Sequence, residues 1–487
     1  MDKKSLPASL EKIAKLTDVF SQGTGQMPDM QEVMSAAENM LSGQKDSTAD
    51  KPSETIITVK LRYSLLDSDG NEEEAGEGEG QLSEENLAVM PNLGMPLKYP
   101  LRSFSVSSTD DYRLELQCVS GETLILYHMG YKFDDFVRIL VRLKNQTLLS
   151  DMLFLESLRT SGIQANFSLT NNSGQQTRGE CEVRLYDTAL VTLTAASEVF
   201  RLPYSFIDDV KVEDYVMTIV SELGSVLQLS HLGPKLDLLS RRLSEAMNDL
   251  ALQAQTMVQE FTPDASPRVI RQAARLLRDG RAVRQESLGE VCPELWPQLE
   301  QQLDIVGIKE EYEFLSRLSP PGKTAIGVKK GLMGDITGDY TWFLIPLYSA
   351  NPQQAGNAVA MEASSEGEGG GKATYFFRIT GRNQYRELND IDQLHYVARD
   401  FMSLLNICLL AINFRRQPIY ITDEQLNTPR FARYRYSVAL IPELQLLRER
   451  FIGRVFHRSK EQWEQDVADL LDFNVSSTDD SERWSKT

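Results

Sequence analysis

Cysteine and histidine are scarce in this chain, with four of each among 487 residues. Cys118, Cys181, Cys292 and Cys408 lie far apart, without a CxxC pair or a histidine at ligand spacing. That excludes the usual zinc-site patterns and a disulfide framework. The expectation is reduced thiols in a cytoplasmic protein. Also missing are an HExxH helix, a Gly-x-Ser-x-Gly elbow and a glycine fingerprint followed by an acidic ribose partner. Long apolar runs are lacking too: the longest, Leu404 to Phe414, is interrupted by Asn406 and Asn413 and is too short to span a bilayer. The first sixteen residues carry lysines but no apolar core of signal-peptide length. Basic charge is outweighed, 51 Lys and Arg against 70 Asp and Glu, for a net charge of -19. Such a surface opposes non-specific binding to nucleic acid or an anionic membrane unless a local patch overrides it. No catalytic residue, metal or cofactor is expected.

Pro320-Pro321-Gly322-Lys323-Thr324 ends like a phosphate-binding loop. That motif needs a glycine four residues before the Gly-Lys pair, a preceding strand and a following helix. Arg317 stands where the first glycine belongs, and helical periodicity precedes it, so nucleotide binding is set aside.

What the chain does contain is an internal repeat. Asp111 to Asn145, shifted by 103 residues, lies without a gap on Asp214 to Asn248. The matches include Asp111/Asp214, Tyr112/Tyr215, Gly121/Gly224, Leu124/Leu227, Leu126/Leu229, His128/His231, Gly130/Gly233, Leu140/Leu243 and Asn145/Asn248. The register extends upstream through Leu82/Leu185, Leu87/Leu190 and Pro100/Pro203, so a whole module is duplicated. A histidine kept twice at one position reads as a turn residue rather than as two catalytic sites.

In the first module, period-two alternation marks strands at 56–66, 81–90, 97–106, 112–119 and 122–127, with an acidic Gly-rich loop at 67–80. The period then changes to 3.6, and Phe133, Phe136, Val137, Leu140 and Leu143 mark an amphipathic helix. The second module reads the same way: strands at 163–169, 181–186, 190–193, 200–207, 215–221 and 226–230, then a helix after Gly233-Pro234. Five or six antiparallel strands closed by one helix, twice, resembles the pleckstrin-homology-like barrel. The residues that carry the resemblance are Gly121, Leu124, Leu126 and Gly130 with Gly224, Leu227, Leu229 and Gly233, and the helices behind them. The resemblance implies recognition of either phosphoinositide head groups or protein and peptide ligands. Lys60 and Arg62 would suit a lipid site, but Glu72, Glu73, Glu74, Glu77 and Glu79 follow them and would repel phosphate. Protein recognition is the reading that remains.

Around the modules, residues 1–55 read as a helical arm and linker, with Leu6, Leu10, Ile13, Val19 and Phe20 near one face. Residues 251–320 read as a helical spacer with an arginine face: Arg268, Arg271, Arg275, Arg278, Arg281 and Arg284 recur at three or four residues. Strands at 341–348, 358–363 and 373–380 and a helix at 390–413 define a C-terminal α+β domain, 321–475, ahead of a polar tail, 476–487. Within it, Ile419 to Ile421 reads as a strand, and Arg430, Arg433 and Arg435 alternate with Phe431, Tyr434 and Tyr436 as along a half-buried strand.

The fold class expected is thus α+β: bent-sheet modules at 56–160 and 161–250, each closed by a helix, then the spacer and the C-terminal domain. The function expected is a non-enzymatic interaction or scaffold protein with a protein partner and no nucleic acid. Its candidate contact residues are Arg268, Arg271, Arg275, Arg278, Arg430, Arg433 and Tyr434. A peripheral membrane adaptor is the alternative, and an enzyme with a site in 320–475 is the second.

Overall fold

The computed structural model describes residues 55–108, 110–151, 156–171, 174–194, 199–222, 224–329, 339–349, 355–365, 372–388, 390–412 and 414–484. The expected arm at 1–55 lies almost wholly outside the described residues. The chain is α+β.

Alternation along β1 (Ile57–Leu66) turns Val59, Leu61, Tyr63 and Leu65 to one face, and all four are buried. With β2 (Glu72–Leu82), β3 (Asn86–Pro91), β4 (Leu97–Pro100), β5 (Phe104–Ser108), β6 (Arg113–Cys118) and β7 (Thr123–Tyr127) it forms a seven-stranded antiparallel sheet, ordered β4-β3-β2-β1-β7-β6-β5. Helix α1 (Phe133–Asp151) closes it, packing Phe133, Phe136, Leu140 and Leu143 on Leu124 and Leu126.

The second module repeats the plan with β8 (Leu158–Thr170), β9 (Gln176–Tyr186), β10 (Ala189–Thr194), β11 (Val199–Pro203), β12 (Ile207–Glu213), β13 (Val216–Ser221) and β14 (Val226–Ser230). Its order, β11-β10-β9-β8-β14-β13-β12, is the same. Helix α2 (Lys235–Phe261) closes it through Leu236, Leu239, Leu243 and Ala246.

Each module therefore has seven strands where periodicity showed five or six: the expected strand at 97–106 is two, β4 and β5, at opposite edges of the sheet, and two further strands left little apolar signal. Most of the acidic Gly-rich stretch is not a loop but strand β2, in which Glu77 and Glu79 face outward, Gly76, Gly78 and Gly80 inward, and the half-buried Glu74 accepts from the Tyr63 hydroxyl at 2.6 Å. Glycine leaves no apolar signal, yet it is needed: a Cβ on Gly78 would lie 2.3 Å from the Met90 carbonyl oxygen. Strand β12 (IDDVKVE) is mostly exposed, so its alternation is faint.

The repeated residues are those with unusual backbone. Asp111 and Asp214 have φ of 51° and 47°, Tyr112 and Tyr215 of 56° and 63°, His128 and His231 of 61° and 59°. Gly121, Gly224, Gly130 and Gly233 are left-handed as well. Asp214-Tyr215 is the two-residue loop between the paired Glu213 and Val216, with positive φ at both positions, as the twist of a tight hairpin demands.

Helix α2 continues past its module, and Ala254, Met257 and Val258 enter a third core. The segment expected to be a spacer belongs to that core: α3 (Pro267–Leu276), α4 (Gln285–Gly289), α5 (Leu295–Ile305) and α6 (Lys309–Leu318) cover one face of a six-stranded sheet whose first strand is β15 (Val283–Arg284). β16 (Ala325–Lys329), β17 (Tyr340–Leu347), β18 (Ala358–Ser365), β19 (Ala373–Arg378) and β20 (Phe451–Phe456) complete it in the order β15-β16-β17-β18-β19-β20. Trp296, Leu299 and Leu315 pack there on Phe343, Ile345 and Phe376. The opposite face carries α7 (Arg382–Glu387), α8 (Ile391–Ala411), α9 (Gln417–Tyr420), α10 (Asp423–Leu426), α11 (Ala432–Leu440) and α12 (Pro442–Arg450), and α13 (Lys460–Ser476) returns to the first face. Covered on both sides, β17, β18 and β19 are buried at every position. Helix α8 is long and apolar enough to cross a membrane by length and composition; here Leu394, Phe401, Leu405 and Leu409 pack on this sheet.

Two local expectations are corrected. Residues 419–421 form no strand: Pro418 sits in the first turn of the short helix α9, and the buried Arg448 guanidinium donates to the Pro418 and Ile421 carbonyls. The alternating arginines and aromatics at 430–436 are helical, a 3-10 turn at Pro429–Phe431 running into α11.

Candidate interaction surfaces

Arg268, Arg271 and Arg275 lie exposed along α3, whose start is set by Ser266 accepting from the Val269 amide and by Pro267 in the first turn. Among the described residues these three have no ion pair. Arg278 does not continue the row, because the helix ends at Leu276 and Asp279 takes a left-handed conformation, φ 55°. Its guanidinium turns to the second module, donating to the Ser205 carbonyl at 2.6 Å and to Glu222 at 3.0 Å. Arg281 joins it, 2.9 Å from the other Glu222 oxygen and over the Phe206 ring. The predicted arginine face therefore divides into an exposed row of three, an internal clamp of two, and Arg284, which pairs with Glu286 at 2.8 Å.

The segment 430–436 faces inward in part. Tyr434 donates to Gln417 Oε1 at 2.8 Å, and the Arg430 guanidinium lies 5.3 Å from the Phe431 ring centre. Arg433 belongs to α11 by its backbone, and its side chain lies outside the described residues. Further along, Ser437 donates to the Asp151 carbonyl at the end of α1, and Arg102 lies over the Tyr436 ring while gripping the buried Asp151 carboxylate with two hydrogen bonds. Helix α11 is thus where the first module docks on the C-terminal domain.

A surface that periodicity did not reveal lies at the tip of the first module. The β5–β6 turn and the β7–α1 connection enclose an open cleft of about 610 Å³ lined by Asp111, Tyr112, Arg113, Tyr127, His128 and Tyr131. Tyr112 is 68% exposed and Tyr131 92% exposed. Tyr112 meets the Phe133 ring edge-on at 5.5 Å and Tyr127 meets His128 at 5.2 Å. A bulky side chain on left-handed backbone costs about 1–2 kcal/mol, and such strain gathers at functional positions. The twin module keeps the Asp-Tyr turn but has Val216, Ser230 and Pro234 where the first has Arg113, Tyr127 and Tyr131. The available signal was the repeated Asp-Tyr pair with aromatics added in one copy only.

On the outer face of the first module, the cations that suggested a lipid site are matched within the sheet. Lys60 lies opposite Glu79 and Arg62 opposite Glu77, whose carboxylate the Arg62 Nε contacts at 2.8 Å. Lys323, from the apparent phosphate loop, pairs with Glu286 at 2.7 Å.

Two polar clusters lie at least partly inside the protein. His457 lies between Glu362 and Glu311, its ring nitrogens 3.1 and 3.2 Å from their oxygens, with Thr374 donating to Glu362 at 2.8 Å. Burial alone would lower the His457 pKa, but the Glu362 hydrogen bond and the two negative charges raise it above its ordinary value. Burial raises Glu311 as well. Where the second module, α2 and β16 meet, a cavity of about 350 Å³ is lined by Arg159, Thr188, Met257, Asp279 and Lys329. The Lys329 ammonium is buried 3.1 Å from Asp279. Among the described residues no group of three His, Cys, Asp or Glu side chains is placed to hold a metal ion.

The sheet order and closing helices define a protein with two tandem seven-stranded antiparallel modules. Compared with family models and with curated proteins, the chain has no match. Among solved structures it is similar to the C-terminal domain of an unknown protein from Leishmania infantum, at 14% identity and a TM-score of 0.17, over 21% of this chain and 94% of that one. It is also similar to the Spt16D Pob3N heterodimer, at 13% identity and a TM-score of 0.14, over 34% of this chain and 85% of that one. At such scores the fold rests on the sheet order itself.

Proposed function

We propose that this is a non-enzymatic interaction protein whose two modules are pleckstrin-homology-like and which recognises an extended peptide of a protein partner at the tip of the first module. The observation that carries the proposal is the pair of exposed rings, Tyr112 and Tyr131, beside an open cleft on a strained turn. Tyrosine supplies large, rigid contact area at low entropic cost, so exposed tyrosines beside a groove suit peptide recognition. The second module serves as the rigid mount, joined to the C-terminal domain by α2 and by the Arg278 and Arg281 clamp on Glu222. Four free, buried cysteines fit a reducing, cytoplasmic setting. The test is selection of a random peptide library on the full-length protein and on its Tyr112→Ala/Tyr131→Ala variant. Peptides enriched by the first and lost from the second support the proposal. Equal enrichment on both, or none on the first, overturns it.

A second reading has its own observation. Three exposed arginines that form no ion pair among the described residues, Arg268, Arg271 and Arg275, offer an anionic lipid surface a contact that the acidic bulk of the protein does not. Sedimentation with phosphatidylserine vesicles, reversed by salt and lost in an Arg268→Glu/Arg271→Glu/Arg275→Glu variant, would favour a peripheral membrane adaptor instead.

A further inference from the structure

Residues 477–484, which read as part of a polar tail, are docked. After α13, Ser477 to Trp484 crosses β19 and α7 as a strap whose residues are exposed from Thr478 to Arg483. The Trp484 amide donates to the Ile452 carbonyl at 2.8 Å, and Arg483 donates to the Arg448 carbonyl at 3.0 Å. Beneath the strap lie two buried arginines, Arg378 at the end of β19 and Arg382 at the start of α7. Arg378 donates to the Asp480 carbonyl and to Asn474 Oδ1, and Arg382 donates to the Asp479 and Asn474 carbonyls. Arg386 reaches the Val475 carbonyl at 3.0 Å.

Charge in this niche is under-compensated. The Asp480 carboxylate, itself half exposed, stands 3.7 Å from Arg378 and 3.6 Å from Arg382. The Asp479 carboxylate is turned instead onto the Ser481 amide and hydroxyl, both at 2.8 Å. Among the described residues, Arg382 Nη2 is buried without a hydrogen-bond partner. Burial first, and then the neighbouring Arg382 and Arg450, push Arg378 down to about 10. Buried guanidinium groups held this way are costly unless a well-placed anion satisfies them. The hydrogen bonds that are made go mostly to main-chain carbonyls, so the niche is shaped for a peptide that also carries carboxylates.

We propose that Arg378, Arg382 and Arg386 form a binding niche for an acidic peptide segment of a partner protein, closed in this structure by the chain's own Asp479-Asp480 strap. The strap is a low-affinity stand-in favoured by being tethered, so a segment with better-placed carboxylates displaces it. This site is independent of the tyrosine cleft and of the reading based on it.

The test uses the full-length protein and an Asp479→Asn/Asp480→Asn variant, which keeps the Arg483 and Trp484 anchors. The probe is a fluorescein-labelled peptide with the sequence of Ser477 to Trp484, followed by anisotropy. The expected result is binding about tenfold or more tighter to the variant than to the unaltered protein, because the tethered competitor is weakened. Binding should be lost at about 0.5 M salt and with a peptide carrying Asn-Asn for Asp-Asp. If the variant does not fold, full-length Trp484→Ala, which releases the strap at its far end, should show the same gain. Equal binding to altered and unaltered protein, or no binding to either variant, overturns the proposal. Displacement of the probe by inorganic phosphate as readily as by unlabelled peptide overturns its peptide specificity.

Discussion

Lys144 in the first module and Met247 in the second occupy the same place on the closing helix, and they meet burial in opposite ways. Met247 packs on its module's core, while Lys144 is buried and donates to the Leu101 carbonyl at 3.1 Å and to the Phe104 carbonyl. Burial lowers the Lys144 ammonium from 10.5 to about 8. The unfolded chain then holds a proton that the folded chain has shed, so stability rises as pH climbs from about 8 to 10.5. Across that window the wild type should gain about 3 kcal/mol relative to Lys144→Met. Urea unfolding of both proteins at several pH values measures it, and parallel stability curves would refute the assignment.

His457 acts in the other direction. Its folded pKa is raised by Glu362 and Glu311, so its contribution is fully present below about 6.5 and is lost as pH rises through the raised value. His457→Gln should cost about 3 kcal/mol at acidic pH, where the imidazolium is buried between two carboxylates, and less as pH rises. The check is whether the difference between the two unfolding midpoints narrows with pH; a constant difference would show a purely steric role.

Tyr215 sits 84% exposed at φ 63°, where glycine is the natural occupant. Tyr215→Gly should stabilise the protein by about 0.5–1 kcal/mol, the relief of left-handed strain exceeding the entropy of the added glycine. A lower melting temperature would mean that the ring holds the turn in place.

Gly280 carries the opposite expectation. Its φ is 78°, and a Cβ there would lie 2.4 Å from Lys329 Cβ and 2.8 Å from Lys329 Cα. Gly280→Ala should destabilise by about 3 kcal/mol, from strain plus overpacking beside a buried ion pair. Chemical denaturation gives the value directly, and a change under about 1 kcal/mol would show that β16 yields.

Local pattern carried much of the architecture. Period-two alternation at Val59, Leu61, Tyr63 and Leu65, period 3.6 at Phe133, Phe136, Leu140 and Leu143, and the register linking Asp111 to Asp214 are properties of adjacent residues, so the duplication and its closing helices were legible. Strand β2 was not, because an inward glycine and an outward glutamate are each unremarkable alone; only the approach of the Met90 carbonyl to Gly78 makes the glycine necessary. The sites divide likewise. A row of arginines at three- and four-residue spacing is visible in one dimension, but whether each ends in solvent depends on where the chain turns. Asp279 turned it, leaving Arg268, Arg271 and Arg275 outside and folding Arg278 onto Glu222. The sequence by itself determined the repeat, the alternation of most strands and the scarcity of cysteine and histidine. Tertiary structure alone decided that the spacer joins the C-terminal core, that 430–436 is a docking helix and that the tail covers Arg378 and Arg382, because each depends on residues far apart in the chain meeting in space.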